Sequence, residues 1–193
     1  MENEGYFSTL GVKDLLWQNR SAIMQKWFDR IVRTYPVNSQ KFIKDQKDRF
    51  ANPVGSTILQ GIEGLYVQLL GEMDAEKVTK YLDPVMRIQA VQDFSPSQAL
   101  AFIPSLKGIV REGLRGMIPE MHLVAELSEF ETRIDQLTLL AFDHYMKCRE
   151  EIYAIRMQEL RRRSVEVMER IQRGEIRGGG VPGLPKDAGD SEG

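Results

Sequence analysis

Between Pro119 and Gly174 the chain contains neither proline nor glycine. Those two residues are the usual means of stopping or kinking a helix. Inside this stretch Leu127, Phe130, Ile134, Leu137, Ala141, Tyr145, Cys148, Ile152 and Ile155 follow in steps of three and four, the spacing of one helix face. The pattern predicts a single helix from about Pro119 to Arg173. At about 1.5 Å per residue it would run roughly 75 Å, more than a small domain is wide. Its C-terminal part is therefore expected to extend from the domain or to pair with another chain. The stripe from Phe130 through Ile134, Leu137, Ala141, Tyr145, Cys148 and Ile152 to Ile155 is the candidate dimer face. Past Leu160 the stripe fades, and Glu166 with Arg170 and Glu169 with Arg173 stand at the i, i+4 spacing that suits ion pairs.

The rest of the chain also reads as helices. Apolar residues from Val12 to Tyr35 keep helical spacing, with a polar gap at Asn19–Arg20 and a stop at Pro36. A short helix is expected over Ser39–Lys47. Asn52-Pro53 marks a turn and the start of the next helix. In that helix Gly61 and Gly64 weaken the helix unless a neighbouring helix approaches closely. Asp74 suits an N-cap, and Pro84 is expected to divide the following segment near Asp83. Ser95-Pro96-Ser97-Gln98 is a capping box with proline at the first helical position. The helix it opens is expected to reach about Gly116 with a bend at Pro104. No strand-like alternation and no internal repeat occur. The fold class is all-α, a globin-like helical bundle with a long C-terminal helix. Residues 1–173 are expected to form one helical domain with its core over about 11–163. The Gly/Pro-rich stretch 174–193 reads as a disordered tail.

Bulk properties narrow the function. Of 193 residues, 42% are hydrophobic and 28% charged, ordinary for a globular chain with a real core. The net charge of −2 gives no general attraction to nucleic acid or anionic membrane. One cysteine, Cys148, excludes an intrachain disulfide and suits a reducing compartment, the cytoplasm. The acidic N-terminus carries no apolar signal segment, and no run of about 18 apolar residues suggests a membrane span.

Chemical motifs are sparse. His122 and His144 have no second His or Cys at ligand spacing, so packed or surface roles are the simpler reading, with no metal site expected. A haem or other tetrapyrrole held by His144 or His122 stays open as the alternative. Cys148 lacks a neighbouring base, and buried packing is its default. Asp93 precedes the capped helix, where a carboxylate suits the positive helix end. The arginines at 161–163, with Arg170, Arg173 and Arg177, form a basic stretch interleaved with glutamates, read as a solvated face. Trp27, Phe28, Met86, Phe94, Phe102 and Ile103 are candidates to line an apolar pocket, with core packing as the plainer alternative. No catalytic constellation is found.

Three segments carry a resemblance: "FANPVGSTILQGIEGL", "RIQAVQDFSPSQALAFIPSLKGIVREGL" and "RIDQLTLLAFDHYMKCREEIYAIRMQELRRR". In this order they resemble the N-terminal domain of the RsbR/RsbRD proteins, co-antagonists of the bacterial stressosome, over roughly residues 11–163. The resemblance implies a globin-like domain without haem, hence no cofactor, that forms a homodimer and serves signal sensing in a stress response. In that family the last helix leads into a STAS domain or, in relatives, a kinase. Here a short Gly/Pro-rich segment follows Arg173. The expectation is a stand-alone sensor or adaptor acting through its own surface on a protein partner, with no enzymatic activity.

Overall fold

Asn19 is the first departure from the expected helices. In the computed structural model, which describes residues 11–44, 52–92, 94–117 and 121–174, the Val12–Tyr35 segment is two helices, α1 (Val12–Gln18) and α2 (Arg20–Val32). Asn19 sits between them at φ −91° and ψ 7°. Its Nδ2 donates to the Leu15 carbonyl at 2.8 Å, closing the end of α1. The polar gap at Asn19–Arg20 is thus a break.

The described residues hold six more helices and no strand: α3 (Val37–Lys44), α4 (Pro53–Leu70), α5 (Ala75–Val91), α6 (Pro96–Leu100), α7 (Phe102–Gly113) and α8 (Met121–Gln172). The chain is an all-α bundle with a long C-terminal helix. Its contacts divide it into two units, Met1–Ile152 and Tyr153–Gly193, with α8 contributing to both. Residues 175–193, where a disordered tail is expected, and Asp93 lie outside the described residues.

Local chemistry explains most boundaries. The Asn52 side chain accepts from Gly55 N at 2.8 Å and donates to the Ile43 carbonyl at 2.8 Å. It thereby caps α4 and ties that helix to α3. Asp74 caps α5 by accepting from the backbone N–H groups of Glu76 and Lys77, and those bonds, Lys77 first, hold its carboxyl below the usual range. The capping box at Ser95 and Gln98 forms as expected. One proline behaves otherwise than expected. Pro84 lies inside a continuous α5, where the burial of Leu82, Val85 and Met86 outweighs the lost hydrogen bond. The helix opened by the capping box is interrupted at Ala101, whose backbone stays helical at φ −54° and ψ −25°. Pro104, in the first turn of α7, has no N–H to offer the Leu100 carbonyl, so the interruption falls where that bond is missing.

In the first unit α4 packs along α5, and α2 along α7. The glycines make the first pairing close: a Cβ at Gly61 would overlap the Val85 side chain and lie 3.0 Å from the Tyr81 carbonyl oxygen. At Gly64 a Cβ would overlap the Tyr81 ring. Close approach of a helix is thus the reason for both. Trp27, Tyr66 and Tyr145 are fully buried, and each polar tip has a backbone partner. Trp27 Nε1 donates to the Phe102 carbonyl at 2.8 Å, Tyr66 Oη to the Leu16 carbonyl at 2.9 Å, and Tyr145 Oη to the Phe94 carbonyl.

The first part of α8 belongs to this core. Around it, Arg111 makes a bidentate pair with Glu131 at 2.5 and 2.6 Å. Lys107 pairs with Asp135 at 2.6 Å and Arg87 with Glu151 at 3.0 Å. Arg133 Nη1 donates to the Leu69 and Gly71 carbonyls at the end of α4. In the second unit every described residue from Tyr153 to Gly174 is exposed.

Candidate functional site

Five of the six candidate pocket residues, Trp27, Phe28, Met86, Phe102 and Ile103, are buried in the hydrophobic core, and Phe94 packs against it. Trp27 and Phe102 rings lie 6.1 Å apart, and Phe94 meets Tyr35 edge-on at 5.5 Å. These residues pack the core, and Phe28 also borders one of the surface clefts. Helical periodicity reports a buried face and does not separate packed residues from pocket-lining ones.

The candidate dimer stripe is placed similarly. Phe130, Ile134, Leu137, Ala141, Tyr145 and Cys148 are buried in the first unit's own core, and Ile152 packs against it. Only Ile155, in the second unit, is well exposed, at 64%. An inward-facing stripe cannot serve as a contact surface while the domain is folded. On α8 within the first unit, the exposed large apolar residues are instead Val124, Leu139, Leu140, Phe142 and Met146. Their spacing was readable, but the stronger inner stripe overshadowed it.

Surface clefts open elsewhere. One of about 400 Å³ has an apolar floor that includes Leu16, Leu69 and Phe130, with Glu126 and Arg133 in its wall. Glu126 accepts from Val12 N at 2.7 Å, and Arg133 caps α4, so both charges serve the fold. Two further clefts, of about 510 and 500 Å³, share Arg20 and Glu63. The first lies over Gly61 and Gly64, beside Lys80 and Tyr81. The second is bordered by Trp17, Met24 and Phe28. Trp17 is 53% exposed, and the Arg20 guanidinium stands 5.1 Å from its ring centroid, a cation–π distance. This shared region combines an aromatic plate, a cation and an anion at the surface.

His144 Nε2 lies 3.4 Å from Asp83 Oδ1, and the other Asp83 oxygen accepts from Arg87 Nε at 2.9 Å. The imidazole therefore belongs to an α5–α8 polar network and lines none of these three clefts. The His122 side chain lies outside the described residues. Cys148 is buried, and desolvation raises its thiol pKa, the reverse of what a nucleophile needs. Among the described residues, no group of three His, Cys, Asp or Glu is arranged to hold a metal ion. No described helix is long and apolar enough to cross a membrane.

Comparison with known proteins supplies what this geometry does not. No solved structure matches the chain. An uncharacterized protein of Archaeoglobus fulgidus is 27% identical over 155 residues, covering 79% of this chain and 91% of the relative. The family model described as the RsbT co-antagonist protein rsbRD N-terminal domain matches residues 21–161. That span takes in α2 through α7 and α8 as far as Arg161, so the chain belongs to the RsbRD N-terminal domain family.

Proposed function

We propose that this chain is a regulatory domain, a signal sensor or adaptor in a stress-response pathway and not an enzyme, working as a cytoplasmic homodimer. The observation that carries this reading is the family match over 21–161. The residues support it in three ways. The one thiol is buried with a raised pKa. The clefts that share Arg20 and Glu63 offer a small ligand both charge signs beside the Trp17 ring. Leu139, Phe142 and Met146 present an exposed apolar patch with three- and four-residue spacing, flanked by Asp135, Asp143, Lys147 and Glu150. Such a patch can meet its own copy across a two-fold axis, with Lys147 available to a carboxylate of the copy.

Size-exclusion chromatography with light scattering, recording the absorbance spectrum of the same peak, tests the reading. A colourless dimer that becomes monomeric in Leu139→Glu/Phe142→Glu is expected. A monomer carrying a Soret band would overturn it in favour of tetrapyrrole binding. Loss of the band in His144→Ala or His122→Ala would then identify the ligand.

A further inference from the structure

The exposed helix of the second unit has a pattern of its own. Tyr153, Met157, Leu160, Ser164, Val167 and Ile171 follow in steps of four, three, four, three and four. The five apolar members are 46–57% exposed. This is the seven-residue repeat of a coiled-coil seam, with Tyr153, Leu160 and Val167 at d and Met157, Ser164 and Ile171 at a. The only polar member, Ser164, donates its hydroxyl to the Leu160 carbonyl at 2.9 Å, so covering it strands no donor.

The flanks of the seam decide what can cover it. The g positions are Arg156, Arg163 and Arg170, and the e positions are Ala154, Arg161 and Met168. Every charged flanking residue is an arginine. The glutamates of this helix, Glu159, Glu166 and Glu169, fall at c and f, off the seam. Arg163 pairs with Glu159 at 2.5 Å along the helix, an exposed contact of the kind that holds weakly. In a parallel pair of identical helices Arg156 would face Arg161 of the copy. In an antiparallel pair g faces g, again arginine against arginine. A second copy is therefore disfavoured at this seam. An anionic membrane fits poorly as well: the other exposed apolar residues, Ile155, Val165 and Met168, are spread around the helix and widen no single face, the seam holds no Trp or Phe, and three glutamates share the helix.

We propose that residues 153–172 form a docking helix for an amphipathic helix of a partner protein with glutamate or aspartate beside its apolar seam. This names the partner class for the adaptor reading above and rests on that reading for its biological role. The acidic flanks of the partner meet the arginine row, while Leu160 and Val167 supply the centre of the apolar contact.

Titration calorimetry with the full-length protein and two synthetic heptad peptides tests the proposal. Both peptides carry Ile at a and Leu at d; one has Glu at e and g, the other Lys. The Glu peptide is expected to bind at least about tenfold more tightly at low salt, the advantage shrinking as salt rises. Leu160→Glu should abolish binding. Arg156→Glu/Arg163→Glu/Arg170→Glu should reverse the preference towards the Lys peptide. All four positions are exposed, and unchanged circular dichroism checks the fold of each variant. Equal binding of the two peptides, no binding of either, or retained binding by Leu160→Glu would overturn the proposal. Phosphatidylglycerol vesicles that bind the wild type and not Leu160→Glu would overturn it in favour of a lipid surface. A dimer mass that falls to monomer in Leu160→Glu would overturn it in favour of a second copy. The absorbance and mass test of the regulatory reading involves no peptide, so either idea can fail without the other.

Discussion

Tyr35 shows how a buried atom can be a liability, and Gln89 Oε1 is a second buried atom without a partner among the described residues. The Tyr35 hydroxyl is buried with no hydrogen-bond partner among the described residues, and burial pushes its pKa up to about 12. The ring itself is well used, edge-on to Phe94. Tyr35→Phe keeps the ring and removes an oxygen that has given up water for nothing. Thermal or urea unfolding should show the variant neutral to more stable, by up to about 1 kcal/mol. A loss of 2 kcal/mol or so would mean that the hydroxyl has a partner after all. Asp29 is the opposite case. Its bond to Lys44 at 2.7 Å joins α2 to α3, and that ammonium holds the carboxyl below its ordinary range. A depressed folded-state pKa gives stability that is present above the unfolded value of about 3.9 and lost as the pH falls through the folded one. Asp29→Asn should therefore cost a few tenths of a kcal/mol near neutrality. The gap from wild type should close in acid, as urea titrations at several pH values would show. A gap that persists or widens in acid would exclude the Lys44 pair as its cause.

At the scale of elements, the packing of α4 on α5 depends on an absent side chain. A methyl at Gly61 meets the Val85 side chain and the Tyr81 carbonyl, and a backbone atom does not yield as a side-chain tip does. Gly61→Ala should cost about 1–3 kcal/mol through overpacking, despite the better helix propensity of alanine. Gly108, inside α7, is the internal control. A Cβ there meets nothing within 4 Å, so Gly108→Ala should stabilise by about 0.5–1 kcal/mol. Equal effects of the two in parallel denaturation curves would mean that propensity alone governs both. The sequence made the glycines legible as a close approach because their cost needs an offset. Capping at Asn52, Asp74 and Ser95 was legible for the same reason: side chain and bond partner lie within three residues. The polar gap at Asn19 was legible, but not that its side chain closes α1 on the Leu15 carbonyl, and Pro84 was wrongly read as a break because the packing of Leu82, Val85 and Met86 outweighs local preference. The pocket and dimer candidates fall mostly in the core for a further reason. Periodicity tells which face is apolar, and only the folded chain tells whether that face meets its own core, a ligand or another protein.

On the scale of the whole molecule, the two units should differ in stability, and the difference bears on function. In the first unit the core residues are closed off by several helices, so their amides exchange only through large openings. The second unit's helix has no such cover. All its described residues are exposed, and its local support comes from i, i+4 pairs such as Arg163 with Glu159 and Arg173 with Glu169. Pairs of that kind contribute about 0.3–0.5 kcal/mol each. A helix of this length without tertiary burial is marginal in water. Hydrogen exchange followed by mass spectrometry on the full-length protein should show strong protection over α4, α5 and residues 130–148. Exchange over 153–172 should be near the unprotected limit. Adding the acidic heptad peptide should slow exchange over 153–172 and leave α4 and α5 unchanged, because its contacts would be confined to the seam from Tyr153 to Ile171. Protection over 153–172 in the protein alone would mean that something already covers the seam, and light scattering on the same sample would show whether it is a second copy. Marginal order is what a docking helix needs: it stays accessible until a complementary helix covers Leu160 and Val167, and the apolar contact then supplies the stability that its own sequence lacks.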